Sequence, residues 1–231
     1  MQWLADVADT GRVQRLSVCA VGVMVASVLA SAQPNGGGPG PVLGIVEIPE
    51  MFHVDPDKGV YAPIAALTLY TRPDSDSKVM AVISSPEAID DAEYGYEEAG
   101  ALVYGRDRGY FLIRTSRGAG WLSPHDAGDF HALETLLASE LTSLTDAWDG
   151  FVSASPGSAT HTRVPQRRPY GGEDVRIKQR RTIGGRLWLD IEVISHSICE
   201  SDKPPAVKAR GWVRAHDATG APTVWFASRG C

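Results

Sequence analysis

Two His-Asp dipeptides, His125-Asp126 and His216-Asp217, come closest in this chain to an acid/base or metal-binding pair. An imidazole beside a carboxylate can relay a proton or ligate a divalent ion, provided both groups aim at one point. Adjacent residues of a strand point to opposite faces, and no third ligand type recurs beside both copies. Duplication of a structural unit explains the two dipeptides better than a metal centre does. Serine is also present, yet no Gly-x-Ser-x-Gly turn presents a nucleophile. The sequence therefore predicts no catalytic residue, no metal site, no cofactor and no enzyme.

The acidic stretch Glu87 to Glu98 clusters carboxylates suited to a hard cation, but lacks the ligand order and glycine of a calcium loop. It reads as a solvated acidic loop, on which Tyr94 and Tyr96 are candidates for ligand or partner contact. Trp121 and Trp212 each follow a glycine on a strand, and Trp188 and Tyr110 lie on the strands before them. These rings either fill a core or form a stacking platform for a sugar or peptide, and the packing reading is the simpler. The basic residues Arg163, Arg167, Arg168, Arg176, Lys178, Arg180 and Arg181 form the strongest charge cluster. Their counterpart is a solvated loop, an anionic surface polymer or the acidic first half of the same chain.

Residues 1–32 carry Arg12 and Arg15, an apolar run from Leu16 to Leu29, and Ala30-Ser31-Ala32. That is the layout of a secretory signal peptide cleaved after Ala32, which implies a periplasmic or secreted protein. The other reading is an uncleaved anchor, because the run is only slightly shorter than the roughly 20 residues of a spanning helix. Export makes nucleic acid the least suitable partner and leaves Cys199 and Cys231 as an even pair, read as one disulfide. Such a closure contributes at most roughly 3.5 to 4 kcal/mol through chain entropy. Free thiols and metal ligation are the alternatives.

Positioning these side chains falls to short apolar runs separated by turn formers: Val42 to Ile48, Ile64 to Tyr70, Val79 to Ile83, Ala101 to Tyr104, Tyr110 to Thr115 and Gly120 to Leu122. Before them, residues 33–41 are a Gly/Pro tether. After them, Phe130, Leu133, Leu137, Leu141, Leu144 and Trp148 recur at three and four residues, which predicts a helical connector over 129–149. Charge divides the same way: the formal balance is −7 over 33–128, −5 over 129–149 and +6 over 150–231.

The segment Gly120-Trp121-Leu122-Ser123-Pro124-His125-Asp126 returns as Gly211-Trp212-Val213-Arg214-Ala215-His216-Asp217. Upstream, Leu69-Tyr-Thr-Arg-Pro73 aligns with Phe151-Val-Ser-Ala-Ser-Pro156, and the Tyr110 strand with Arg186 to Ile194. An internal repeat of this length means two copies of one small β unit, over 42–128 and 150–231.

A strand into a Pro-containing turn, an aromatic strand and a hairpin into Gly-Trp, in duplicate, resembles the bacterial SH3-like (SH3b) domain. The resemblance implies a mainly β protein of two small antiparallel barrels, of a kind found in exported proteins that bind cell-wall material, peptides or protein partners. The tyrosine-rich motif behind polyproline recognition in eukaryotic SH3 domains has no match near Leu67 to Tyr70. The expected function is a non-enzymatic binding or scaffolding module of the bacterial envelope, with Tyr94, Tyr96, Trp121, Trp188 and Trp212 as contact residues. An accessory or inhibitory subunit of an envelope complex is the second reading, and a cell-wall hydrolase with an unrecognised site the third.

Overall fold

The computed structural model describes residues 40–49, 54–55, 60–61, 66–139, 141–164 and 172–229. The expected leader, residues 33–39 of the tether, the centre of the basic run and Cys231 lie outside them. No helix among the described residues is long and apolar enough to cross a membrane.

The first half carries β1 (Gly44–Val46), β2 (Val54–Asp55), β3 (Val60–Tyr61), β4 (Leu67–Tyr70), β5 (Val79–Ile83), β6 (Asp91–Gly95), β7 (Glu98–Asp107), β8 (Tyr110–Thr115), β9 (Gly118–Leu122) and β10 (Phe130–Ala132). Helix α1 (Leu133–Ser139) leads into β11 (Leu141–Leu144), β12 (Phe151–Ser153), β13 (His161–Arg163), β14 (Asp174–Ile183), β15 (Arg186–Ile194), β16 (Val207–Arg214) and β17 (Val224–Ala227). The protein is mainly β, and all strand pairs are antiparallel.

One sheet runs β10-β1-β7-β8-β9-β4-β5, with β6 also on β7, and the other runs β17-β11-β14-β15-β16-β12-β13. Taken in chain order, the seven positions correspond one to one, so the repeat read from Gly-Trp extends over both sheets. Register sharpens the match. Gly120 and Trp121 face Ile113 and Leu112, as Gly211 and Trp212 face Ile191 and Asp190. A bulge interrupts β7–β8 at Val103/Gly105 and β14–β15 at Ile177/Gln179, opposite those same residues of the partner strand. Both hairpins close through two residues of positive φ, Arg108-Gly109 and Gly184-Gly185, the two-residue turn that suits the twist of paired strands.

Strand alternation directs one face of each sheet inward. Phe111 and Ile113 are buried in the first half, Leu189, Ile191 and Val193 in the second. The two cores meet at β1, whose successive residues divide between them: Val46 packs into the first core and Ile45 into the second.

The helical connector is narrower than its apolar spacing predicts. Phe130–Ala132 pairs with β1, and Leu141–Leu144 pairs with β14 and β17, which leaves only seven helical residues. So short a helix has no stability of its own in water. Leu133, Leu136 and Leu137 hold it by packing into the second core, while the flanking residues gain more from ladder hydrogen bonds than from added helical turns. The acidic stretch also differs from the expected solvated loop. Asp91–Gly95 is a strand against β7, because Ala92 and Tyr94 turn inward onto the second core and only the alternate residues face out.

Candidate functional site

Beyond the core lies the outward face of β14, β15 and β16, a grid of cross-strand rows. Arg176, Glu192 and Arg210 form one row, Gln179, Asp190 and Trp212 the next, and Arg181, Trp188 and Arg214 the third. Glu192 is buried and ion-paired with Arg176 at 3.2 Å and with Arg210. Burial alone would raise its pKa, but the hydrogen bond and charge of Arg210 outweigh it and hold the carboxyl below its ordinary value. This row pins register and shares one carboxylate between two arginines, which leaves one net positive charge. The third row has no such carboxylate, and the Arg181 guanidinium lies 5.3 Å from the centre of the Trp212 ring.

Next to these rows a cleft of about 560 Å³ is lined by Phe151, His161, Arg186, Trp188, Trp212 and Arg214, among others. His161 Nδ1 is 3.0 Å from the Ser153 hydroxyl, and its ring stands edge-on to Phe151. Trp148 closes the bottom and donates its indole N–H to the Phe151 carbonyl at 2.9 Å. The cleft combines aromatic faces with two arginines and two carboxylates, Asp149 and Asp217.

The structure therefore brings Trp188 and Trp212 together. Neither fills the core: Leu189 and Val213 take the inward positions beside them, and both indoles line the cleft. Trp121 occupies the matching outward position of the first half, in register with Tyr70 and Leu112. There Tyr70 and Tyr110 meet edge to face at 6.3 Å, with Asp107 opposite Tyr110 and Arg114 further along the same face.

Tyr94 and Tyr96 share a hairpin but not an environment. Tyr94 stacks on the His131 ring at 4.3 Å and is hydrogen-bonded to Glu47, whose carboxylate also holds His131 Nε2 at 2.8 Å. Burial, then that hydrogen bond, raises the Tyr94 phenol, whereas His131 draws Glu47 below the carboxylate range despite partial burial. Tyr96 stands at the hairpin tip, 71% exposed, with the Arg229 guanidinium 5.5 Å from its ring centre. Arg229 makes a two-pronged contact with Glu93 (2.8 and 3.2 Å), and Ser228 donates to the same carboxylate at 2.7 Å. These bonds, Arg229 foremost, hold Glu93 down at about 2. Cys199 is disulfide-bonded, while Cys231, expected as its partner, lies outside the described residues.

The His-Asp dipeptides keep their alignment and lose their likeness. His125 is fully in solvent beside Asp126, 3.1 Å away. His216 is half-buried, and its Nε2 donates to the Val42 carbonyl at 2.8 Å, so one repeat grips the strand that opens the other. Among the described residues, no group of three or more His, Cys, Asp or Glu side chains could hold a metal ion.

Phe151, His161, Arg186 and Arg214 escaped sequence reasoning as site residues. The alternation Arg186-Leu-Trp188-Leu-Asp190 already placed one arginine and one tryptophan on a common face. Joining His161 and Phe151 to them required the β12–β16 pairing. The chain matches no protein-family model, no curated protein and no solved structure.

Proposed function

We propose that this protein is an exported, non-enzymatic binding module of the bacterial envelope, built from two SH3-like barrels, with the Trp188–Trp212 face as its ligand surface. The observation that carries the reading is the cleft in which two tryptophans, Phe151 and two arginines converge. The shared strand order of the two sheets supports duplication of one small β unit. Between two aromatic rings such stacking contributes roughly 0.5 to 1.5 kcal/mol beyond area burial alone. The ligand class is cell-wall material or peptide.

Co-sedimentation of the purified protein with peptidoglycan sacculi across a salt series tests this. Binding that persists at high salt and falls in Trp212→Ala is the expected result. Binding abolished by salt and unaffected by Trp212→Ala marks a nonspecific polyelectrolyte contact instead. No binding at any salt favours the accessory-subunit reading, for which exposed Tyr96 beside Arg229 is the contact to cross-link.

A further inference from the structure

The β14–β15 hairpin outgrows its counterpart. The row Arg181/Trp188 corresponds to Asp107/Tyr110, where the first-half hairpin turns back, but the second continues through Thr182/Leu187 and Ile183/Arg186 before its own turn. That extension builds a wall. Gly185, Arg186 and Leu187 bound a second cleft of about 850 Å³, whose other side is made by Pro41, Val42 and Ala132 of the first half. Arg186, Arg214, His216, Asp217 and Ala218 line both this cleft and the tryptophan cleft.

Each cleft is lined by two arginines and two carboxylates, so the wall's positive charge is local and not net. Asp217 accepts from the Thr219 and Ala221 amides (2.8 and 2.9 Å) and the Thr219 hydroxyl (2.7 Å), all on Oδ1, and Asp149 accepts from the Phe151 amide at 3.0 Å, which ties both carboxylates to their own turns without removing their charge. The exposed guanidinium groups of Arg186 and Arg214 have no ion-pair partner among the described residues. Glu134 lines the inter-half cleft at α1, so a negative ligand seats on the arginine wall and not against the helix. Trp188 and Trp212 lie on β15 and β16, each paired on both sides. Their strands present stacking faces and no open backbone edge, which suits sugar rings better than an added peptide strand.

We propose that the two clefts form one groove for an extended, carboxylate-bearing glycan, whose rings stack on Trp188 and Trp212 and whose carboxylates are held by Arg186 and Arg214. The assignment rests on the binding-module reading and narrows its ligand to an acidic polysaccharide.

Oligogalacturonates of two to eight units are the probe, titrated into the intact protein with calorimetric detection. The octamer binds at least tenfold more tightly than the dimer, and its methyl-esterified, neutral form at least tenfold more weakly. Arg186→Ala and Arg214→Ala each weaken octamer binding about tenfold, the scale of one lost charge-assisted contact. Arg108→Ala, which removes the same charge from the first-half hairpin, leaves it unchanged, and near-UV circular dichroism verifies that all three variants are folded. Affinity independent of length, or equal weakening by Arg108→Ala, overturns the groove. A glutamate octapeptide binding as tightly as the octamer overturns the glycan. Sacculi bound while the oligomers are not would reject this inference and keep the module, whereas loss of both would reject the two together.

Discussion

The two halves share one strand order and differ in the chemistry of the face turned outward. Where the second half places Ser153, Asp190, Trp188 and Trp212 among arginines, the first places Tyr70, Leu112, Tyr110 and Trp121 in the corresponding positions. Inward positions correspond conservatively: Ile113 with Ile191, Phe111 with Leu189, Leu122 with Val213. The constraint on a buried position is shape and apolarity, the same in both copies. Outward positions were free to diverge, and Arg176, Arg181, Arg210 and Arg214 stand in the second copy's outward rows.

The comparison treats the halves as duplicates, and the largest expected effect would show where that stops. A chain ending at Asp149 should lose its native fold, because Leu133, Leu136, Leu137 and Ile45 would be stripped of the second core they pack in. Retained near-UV circular dichroism and a cooperative melt in that truncated chain would show the first half to be independent instead. Next in size, Ile113→Ala and Ile191→Ala should cost about the same, in the range of 2 to 5 kcal/mol, since both are fully buried at matched positions. Urea denaturation of the two variants decides it, and a gap wider than the range itself would break the equivalence.

Smaller effects separate the copies. A methyl added at Gly211 meets the Ser153 carbonyl oxygen at 2.8 Å and Val152 Cβ at 2.9 Å, whereas at Gly120 it meets the Met80 methyl at 2.6 Å and Leu69 Cβ at 2.9 Å. A Met terminus can swing aside and a strand carbonyl cannot. Gly211→Ala should therefore be the more costly of the two, with both within about 1 to 3 kcal/mol; melting temperatures of the paired variants rank them.

Smallest is the pH term of His216. Burial depresses the His216 pKa below its ordinary 6.5, an effect only partly offset by the bond to Val42 and the charge of Asp217. The unfolded chain then takes up a proton that the folded one refuses. Stability from this site is full above about 6.5 and falls as pH drops through the lower folded value. His216→Gln should flatten that window in a pH series of denaturation curves. Tyrosine titration gives an independent mark: Tyr104, half-buried and hydrogen-bonded to Asp90 at 2.5 Å, is pushed up to about 12 and should ionise well after exposed phenols.

Strand residues with strong alternation were legible in the chain itself. Val79–Ile83, Tyr110–Thr115 and Arg186–Ile194 fall where the apolar runs place them, since a pleated strand with one wet face writes its period into the sequence. Two polar strands left no such mark. Asp91–Gly95 and the arginine-rich β14 look like loops by composition, because their polar residues face water and their few inward groups read as incidental. The apolar spacing after Phe130 fits a helix on paper, and pairing with β1, β14 and β17 overrides it at both ends.

What the sequence determined by itself is local and repetitive: the β class, the Gly-Trp duplication and the division of charge, each a property of neighbours along the chain. What only the tertiary structure decided is which side chains from distant strands share a space. Trp188 and Trp212 stand 24 positions apart and line one cleft because β15 and β16 pair in one particular register, and Arg186 reaches that cleft because one hairpin runs two rungs longer than its twin. Register and hairpin length are settled by packing summed over a whole sheet, and no single stretch of residues carries that sum.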